Sequence, residues 1–230
     1  MTSSIAIISD IHSNLEALLA VSKDIPNVPI YCLGDIVGYG ANPKEVMNWM
    51  REKEVTVVMG NHDYYTLAGD SGWFNRDAAD ALKWTASQLD ESEKKYLIKL
   101  PRTASITVDG FKIFMAHGSP SDPLHEYVHP ETHEYKLGLF LKSLEVDVIA
   151  LGHTHIPYKW TNGKGTVLNP GSVGQPRSGN PEACYVILTI ELNDLRIEHR
   201  LVEYNNRAAS DKIIRAGLPE RFARRLIKGI

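Results

Sequence analysis

Two acidic residues and a histidine follow the first two apolar segments of this sequence. Asp10 and His12 come after the apolar run at 5–9, in the stretch SDIHSN, and Asp35 comes after the run at 29–34, in GDIVGYG. Carboxylates and imidazoles bind divalent metal ions and transfer protons. Their position directly after apolar runs indicates two loops that could contribute to one reactive site.

A third apolar run, VTVVM at 55–59, ends in a denser cluster of polar residues. Asn61, His62 and Asp63 follow it and add an amide, an imidazole and a carboxylate. One turn of the chain therefore offers a metal ligand and a proton donor side by side. Two later loops, AHGSP and GHTHIP, contribute His117, His153 and His155.

These residue types suit a pair of metal ions, because Mn²⁺, Fe²⁺ and Zn²⁺ accept mixed carboxylate and imidazole ligands. The Asp-x-His step would place Asp10 and His12 on one side of an extended loop, where both could hold one ion. A carboxylate has two oxygens and can bridge two cations, which makes Asp35 the natural shared ligand. Asn61 would add a neutral carbonyl oxygen, which leaves more net positive charge facing an anionic substrate.

The elements that position these loops alternate along the first half of the chain. Helical periodicity at 14–23 and 43–53 separates the three apolar runs. Continuous apolar strands joined by helices indicate a parallel sheet that is covered on both faces. The polar loops then meet beyond the carboxyl ends of the strands, where open α/β sheets bind their ligands.

The second half is richer in hairpins. Segment 64–100 is predicted to be helical, with Asn75 as an N-cap. The elements predicted after it are strands around the Asp109-Gly110 turn, a helix near 131–144, a strand at 146–152, hairpins turning at 162–165 and at Asn193-Asp194, and helices split by Gly217 and Pro219. We expect one domain over 1–230 with two sheets packed face to face, a helical insertion at 64–100 and a helical tail at 207–230.

The polar loops form an ordered series of motifs. D-x-H, G-D, G-N-H-[DE], a single His and G-H-x-H occur in this order, from Asp10 to His155. In this series the sequence resembles the calcineurin-like metallophosphoesterases, and within them the small prokaryotic phosphodiesterases. The resemblance implies a four-layer α/β/β/α sandwich of two mixed β-sheets, with a dinuclear metal site at one end.

The resemblance also implies roles for the residues of these motifs. It gives Asp10, His12, Asp35 and His155 to the first metal ion and Asp35, Asn61, His117 and His153 to the second. The expected cofactors are two divalent ions, Mn, Fe, Zn or Ni, of which Mn is favoured. A hydroxide shared by the ions would attack phosphorus in line, while His62 acts as the general acid and Asp63 orients it.

One segment separates the activities found in the family. The Ser/Thr protein phosphatases carry an Asp-Arg pair that binds phosphate, and Gly38 and Tyr39 stand in those places here. The lower positive charge favours a singly charged phosphodiester over a phosphomonoester or a phosphoprotein. In NPGSVGQPR, Gln175 and Arg177 could reach a phosphate oxygen, although an arginine in a turn is also typical of a solvated surface.

Two other functions stay open as alternatives. Some proteins with this fold have lost catalytic ligands and serve as scaffolds in protein complexes, and the Ser/Thr protein phosphatases are the second alternative. His62 and a complete ligand set favour catalysis, because a scaffold needs neither. The expected partner is a small phosphorylated substrate, and the sequence leaves the oligomeric state open.

A histidine triplet follows the AHGSP loop. His125, His129 and His133 are spaced by four residues, but Pro123 and Pro130 interrupt any helix through them. The spacing therefore does not place the three rings on one helix face, and we do not expect a third metal site.

Aromatic residues could form the rim of the site. The segment after GSP is predicted to be a lip of the cleft, where Tyr127 or His129 could contact substrate. Trp73 and Phe74 could overhang the site from the helical segment, and core packing is the alternative that we favour for both.

Charge and hydropathy restrict the remaining classes of function. The formal charge of −3 and the pI near 6.3 give no electrostatic reason to expect nucleic acid. No apolar run is long enough to span a bilayer, and the first residues lack a basic region and a cleavage site, so we expect a cytoplasmic protein. Cys32 and Cys184 lie in apolar runs and are expected to be core residues.

The last segment, ERFARRLIKGI, is predicted to be an amphipathic helix. We expect its basic side to be a solvated surface. The basic side carries Arg221, Arg224, Arg225 and Lys228, and the apolar side carries Phe222, Leu226 and Ile227.

Overall fold

The structure is a computed structural model that describes residues 2–69, 72, 74–192 and 194–230. Its strands form two five-stranded sheets. Neighbouring strands of the first sheet are β10 (Asp194–Val202), β9 (Ala183–Glu191), β1 (Thr2–Ile8), β2 (Ile30–Cys32) and β3 (Thr56–Val57). Those of the second are β4 (Thr103–Val108), β5 (Phe111–Ala116), β6 (Val148–Leu151), β8 (Thr166–Asn169) and β7 (Tyr158–Thr161).

Both sheets are mixed. In the first sheet β1, β2 and β3 are parallel, whereas β9 pairs antiparallel with β1 and with β10. In the second sheet β5, β6 and β8 are parallel, and β4 and β7 are antiparallel strands at the two edges. The parallel strands of each sheet end on the polar loops that the sequence analysis singled out.

The described helices surround the two sheets. They are α1 (Leu15–Asp24), α2 (Pro43–Glu52), α3 (Asn61–Ala68), α4 (Arg76–Gln88), α5 (Glu91–Ile98), α6 (Glu134–Leu144), α7 (Asn206–Arg215) and α8 (Glu220–Lys228). None of the helices in these described ranges is long and apolar enough to cross a membrane.

The two sheets pack face to face through one apolar layer. Successive side chains of a strand point to opposite faces, so Ile5 and Ile7 of β1 face the second sheet. They pack there with Ile113 and Met115 of β5. The alternate residues of β1, Ala6 and Ile8, face away from the second sheet and pack against α1 and α2.

A helical layer also covers the second sheet. Leu137 and Phe140 of α6 pack on Ile149 and Val167, which lie on the face of that sheet directed away from the first. Helices therefore lie outside both sheets, and the predicted four-layer α/β/β/α sandwich is confirmed.

Segment 64–100 contains most of α3 and all of α4 and α5. The side chain of Asn75 accepts a hydrogen bond from the backbone N–H of Ala78, as an N-cap does, so this prediction is confirmed. The helical region begins earlier than predicted, because α3 starts at Asn61 and carries Asn61, His62 and Asp63 in its first turn. Of the predicted turn at Asn193-Asp194, Asn193 lies outside the described residues.

The C-terminal helices pack beside the loop that follows β2. Phe222 and Leu226 of α8 are buried in a cluster with Tyr39 and residues of α4 and α7. Ile227 was predicted to lie on the apolar side but is 43% exposed. The helical tail is therefore part of the wall next to the polar loops.

Candidate metal centre and active site

Backbone hydrogen bonds tie the polar loops to one another. The N–H of Asp10 donates to the carbonyl of Gly34 over 3.0 Å, and the N–H of His12 donates to that of Asp35 over 2.9 Å. The N–H of Gly174 donates to the carbonyl of Asp10 over 2.9 Å and so joins a loop of the second sheet to the first. These bonds hold the loop side chains at fixed positions.

The backbone is unusual at five of the predicted ligands. Its φ angle is 54° at Asp10, 47° at His12, 52° at Asp35, 69° at His153 and 60° at His155. Residues other than glycine seldom adopt this left-handed region, and each such position costs on the order of 1 kcal/mol or more. Strain of this kind gathers at functional sites, where the surrounding structure fixes the side-chain direction.

Asp10, His12 and His155 form one group of buried side chains. Their possible ligand atoms lie within 4.8 Å of one another. Nε2 of His155 is 3.1 Å from Nε2 of His12 and 3.2 Å from Oδ1 of Asp10.

Asp35, His117 and His153 form a second buried group. Nε2 of His117 lies 3.1 Å from Nδ1 of His153 and 2.9 Å from Oδ1 of Asn61. The amide oxygen of Asn61 therefore joins this group, as the resemblance implies.

Asp35 lies between the two groups. Its Oδ2 atom is 3.6 Å from Nε2 of His12 and 3.3 Å from Nε2 of His117, so one oxygen faces both. The other oxygen, Oδ1, accepts a hydrogen bond from the backbone N–H of His62 over 2.8 Å. This is the geometry that a bridging ligand needs.

The two carboxylate oxygens of Asp10 also have different surroundings. Oδ2 accepts from the Ser9 hydroxyl over 2.6 Å and from the backbone N–H of His153 over 3.1 Å. Oδ1 is buried and has no hydrogen-bond partner in the described part of the chain. A buried carboxylate oxygen without a donor is costly unless a cation binds it.

Backbone carbonyls fix which ring nitrogen each histidine offers. Nδ1 of His12, His117 and His155 lies 3.2, 2.8 and 2.6 Å from the carbonyls of Val37, Leu33 and Gln175. A carbonyl only accepts, so these Nδ1 atoms carry hydrogens and Nε2 is the ligand atom. In His153 the order is reversed, because Nε2 lies 3.3 Å from the carbonyl of His125 and Nδ1 faces His117.

The donor set fits a pair of divalent cations. Two nitrogen ligands on one ion, each about 2.1 Å from it, lie about 3.0–3.4 Å apart. The pair His12 and His155 and the pair His117 and His153 are each separated by 3.1 Å. Together with the partnerless Oδ1 of Asp10, this spacing suits Mn²⁺, Fe²⁺ or Zn²⁺, which accept mixed carboxylate, amide and imidazole ligands.

Burial and charge set the protonation of the site. Burial acts to raise the pKa of Asp10 and Asp35, but the neighbouring histidines His155 and His117 hold both well below their usual range. Burial lowers the pKa of His12 and His153. Burial also acts to lower the pKa of His117, but Asp35 raises it to about 9, so a cation that binds here displaces a proton.

His62 lies beside the ligands in a ring of aromatic side chains. Its ring centroid is 4.3 Å from that of Tyr39 and 4.8 Å from those of His12 and Phe74. Nδ1 is buried without a hydrogen-bond partner among the described residues and faces Gly38. Burial lowers the pKa of His62 to about 4, so the ring is neutral near pH 7 and offers an N–H group.

Gly38 is required by this contact. Its φ of 98° favours glycine, and a Cβ atom there would lie 2.5 Å from Nδ1 of His62. Position 38 in the loop after β2 therefore has no room for a side chain.

Asp63 does not orient His62, and that prediction is wrong. Its carboxylate accepts four backbone N–H groups, from Asp35, Ile36, Val37 and Gly60, at 2.8–3.2 Å. Asp63 thus caps the start of α3 and holds the loop of Asp35 against it. Burial and the charge of Asp35 raise the pKa of Asp63 to about 7, while the N–H groups of Gly60 and Val37 act in the opposite direction.

An open cleft of about 250 Å³ lies over the ligand groups, and Asp35, Asn61, His153 and His155 form its floor. Phe74 lines it beside His62, and Tyr127 lines it beside His153, on which its ring stacks at 3.7 Å. Tyr127 therefore lies at the rim as predicted. Phe74 also lines the cleft, although core packing was favoured for it, and Trp73 lies outside the described residues. His129 stacks on Tyr127 at 5.6 Å and lies one ring further from His153.

Gln175 lies behind the cleft wall and not on it. Its side chain is buried, and its Oε1 accepts from Arg177 over 3.3 Å and from Arg225 over 3.5 Å. Its backbone carbonyl holds His155. Gln175 was a candidate for contacting a phosphate oxygen. In the structure its side chain instead holds two arginines, and its backbone carbonyl holds a histidine.

Two arginines of α8 line the cleft although the sequence did not predict this. Arg177 lines the cleft as expected, but Arg221 and Arg225 of α8 line it too, although their helix side was predicted to be solvated. Arg224, with 68% of its side chain accessible, and Lys228 are the exposed members of this basic segment. The apolar side of the helix predicted that α8 packs against the protein but not which basic residues face the cleft.

The histidine triplet takes structural positions. His133 caps α6 by accepting from the backbone N–H of Tyr135, and His125 lies 3.1 Å from Oδ1 of Asp122. The possible metal-binding groups in the described part of the chain include no set formed by these three histidines.

The chain is similar to known proteins in sequence and in fold. The family model of the calcineurin-like phosphoesterase superfamily domain matches residues 4–193. The protein MJ0912 of Methanocaldococcus jannaschii is 40% identical over 247 residues, which covers 99% of this chain and 98% of that protein. The crystal structure of a metallophosphoesterase from Sphaerobacter thermophilus has a TM-score of 0.85 and 32% identity, with 100% of both chains covered.

A further solved structure agrees in fold. Protein PH1004 of Pyrococcus horikoshii has a TM-score of 0.88 at 23% identity and covers 99% of both chains. The chain thus belongs to the calcineurin-like phosphoesterase superfamily, a family of metal-dependent phosphoester hydrolases.

Proposed function

We propose that this protein hydrolyses small phosphodiesters with the help of two divalent metal ions, with Mn²⁺ as the preferred ion. The observation that supports this most directly is Oδ2 of Asp35, which faces both buried ligand groups at the floor of an open cleft. Bound at these groups, the ions would activate water near neutral pH and neutralise charge on the phosphoryl oxygens.

His62 is proposed to act on the leaving oxygen. The contacts with Tyr39, Phe74 and His12 fix the direction of its ring beside the floor of the cleft. Because the ring is neutral near pH 7, its N–H group can donate a hydrogen bond to the leaving oxygen and stabilise the negative charge that develops as the P–O bond breaks. Asp63 contributes indirectly, because it fixes the first turn of α3 on which His62 stands.

The loop after β2 supports the preference for diesters. Tyr39, a neutral side chain, stands in the place where the Ser/Thr protein phosphatases carry their phosphate-binding arginine, so this loop offers no positive charge to the second charge of a monoester. A diester carries one charge at phosphorus and needs less compensation.

The proposal is tested by comparing two aryl esters. Protein stripped with a chelator and reloaded with Mn²⁺ should show a higher kcat/KM for bis(p-nitrophenyl) phosphate than for p-nitrophenyl phosphate. Asp35→Asn is the control, because a contaminating phosphatase would survive this change. A preference for the monoester, or higher activity on a phosphopeptide, would contradict the diesterase proposal and favour a protein phosphatase.

A further inference from the structure

Three arginines converge on one side of the cleft. Arg177 comes from the loop after β8, and Arg221 and Arg225 come from the first turns of α8. Arg177 and Arg225 both donate to the same atom, Oε1 of Gln175. Burial, and then the charges of Arg177 and Arg221, lower the pKa of Arg225, so the three guanidinium groups repel one another.

The three arginines differ in their anionic partners. Arg221 pairs with Asp77, 3.1 Å away. Among the described residues, no carboxylate forms an ion pair with Arg177 or Arg225; both donate to the neutral amide oxygen of Gln175, and Arg177 also hydrogen-bonds to Tyr39. Nε of Arg177 is moreover buried without a hydrogen-bond partner in the described ranges. Half-buried guanidinium groups in this state favour an anion as ligand.

Hydrogen bonds of Gln175 link the arginines to the metal groups. Gln175 holds Arg177 and Arg225 through its side chain and holds His155 through its backbone carbonyl. Burial, and then the charge of Arg177, lower the pKa of His155, which agrees with their proximity. A ligand in this cleft can therefore contact the metal groups and the arginines at the same time.

We infer that Arg177 and Arg225 bind a second phosphate of the substrate, directly linked to the phosphoryl group that is attacked. This inference rests on the proposed function and specifies its substrate class, namely diesters of diphosphate or of a longer polyphosphate. A single-phosphate diester bound at the metal groups offers no second anion to these guanidinium groups. The small volume of the cleft places the second phosphate next to the first.

The reaction balances with one water molecule. The water oxygen joins the attacked phosphorus, and the bond from this phosphorus to the bridging oxygen breaks. The bridging oxygen leaves on the second phosphate, where Arg177 and Arg225 stabilise its charge, and the protons of water are distributed between the two products and solvent.

The test compares P1,P2-di(adenosine-5′) diphosphate with adenylyl-(3′→5′)-adenosine. Both contain two adenosines, and they differ in the second phosphate and in the 3′ linkage of one ribose. In the Mn²⁺-loaded protein, Arg225→Gln should lower kcat/KM for the diphosphate ~10–100-fold and change it less than ~3-fold for the single-phosphate diester. Arg177→Gln, in a separate loop, should give the same split. Arg224→Gln on the exposed side of α8 should change neither.

A second measurement separates this inference from the proposed function. Calorimetric titration with ADP and with AMP, at a fixed free Mn²⁺ concentration, should show that Arg225→Gln weakens ADP binding ~10-fold or more and AMP binding much less. This split supports the second-phosphate site even if neither dinucleotide is hydrolysed. Equal losses on both substrates and both nucleotides, or no loss on any, would overturn the inference while leaving phosphodiester hydrolysis intact.

Discussion

Asp35 is the residue on which both halves of the proposed metal centre depend. Its Oδ2 faces His12 and His117, whereas Asp10 faces only the group of His12 and His155. Asp35→Asn should therefore reduce binding of both ions, and Asp10→Asn should leave about one ion per chain. Elemental analysis after dialysis against Mn²⁺ measures this, and two ions retained by Asp35→Asn would contradict a shared ligand.

His62 separates metal binding from chemistry. In the proposed mechanism His62 holds no metal ion, so His62→Ala should keep the full Mn²⁺ content but lose ~10²–10³-fold in turnover, as removal of one hydrogen-bond donor to developing charge does. The loss should be smaller on aryl esters than on alkyl diesters, because a good leaving group needs less assistance. Loss of metal from this variant would show that His62 is a ligand, as its proximity to His12 and Asp35 permits.

Each predicted ligand could be found from the sequence because its type and motif spacing are local properties. Asp63 could not be interpreted in the same way. Its four partners are backbone N–H groups, three of them in the loop after β2, and a sequence does not show which distant backbone a carboxylate meets. The neighbouring His62 suggested a pair, but the geometry of α3 turns the two side chains apart.

At the scale of elements, Asp63 is a joint between α3 and the loop after β2. Asp63→Asn places an NH₂ group against buried N–H donors and should lower the free energy of unfolding by at least about 2 kcal/mol. Urea unfolding of the metal-free protein measures this. The control is Glu91→Gln, an exposed first-turn acid of α5 for which we expect little change.

The same variant tests whether Asp63 orients His62, as the sequence predicted. A side chain that only orients His62 would lower turnover without changing the stability of the protein. Unchanged unfolding together with a loss of turnover equal to that of His62→Ala would therefore contradict the structural role.

For helix α8 the sequence predicted the helix itself but not its orientation in the protein. Its periodicity predicted the helix and the burial of Phe222 and Leu226, both of which the structure shows. Which neighbour covers that face is set by tertiary packing on α4, α7 and Tyr39. The direction of Arg221 and Arg225 follows from that packing, so their place in the cleft could not be read from the sequence.

At the scale of the whole molecule, the sandwich brings loops from both sheets to one end. Strand patterns predicted the two sheets, because continuous apolar runs and hairpin turns are local signals. The sequence did not show how the loops interlock, which depends on contacts such as Gly174 to Asp10 between the sheets. The predicted ligands consequently lie together in one buried centre with shared backbone support.

The central claim is that two ions at this centre are needed for phosphodiester hydrolysis. Its most direct test is a titration of chelator-stripped protein with Mn²⁺, in which bound metal and hydrolysis of bis(p-nitrophenyl) phosphate are measured on the same samples. We predict no hydrolysis without metal and an increase that levels off at about two ions per chain. Full activity in the stripped protein, a plateau at about one ion, or an inactive protein with both ions bound would contradict the account.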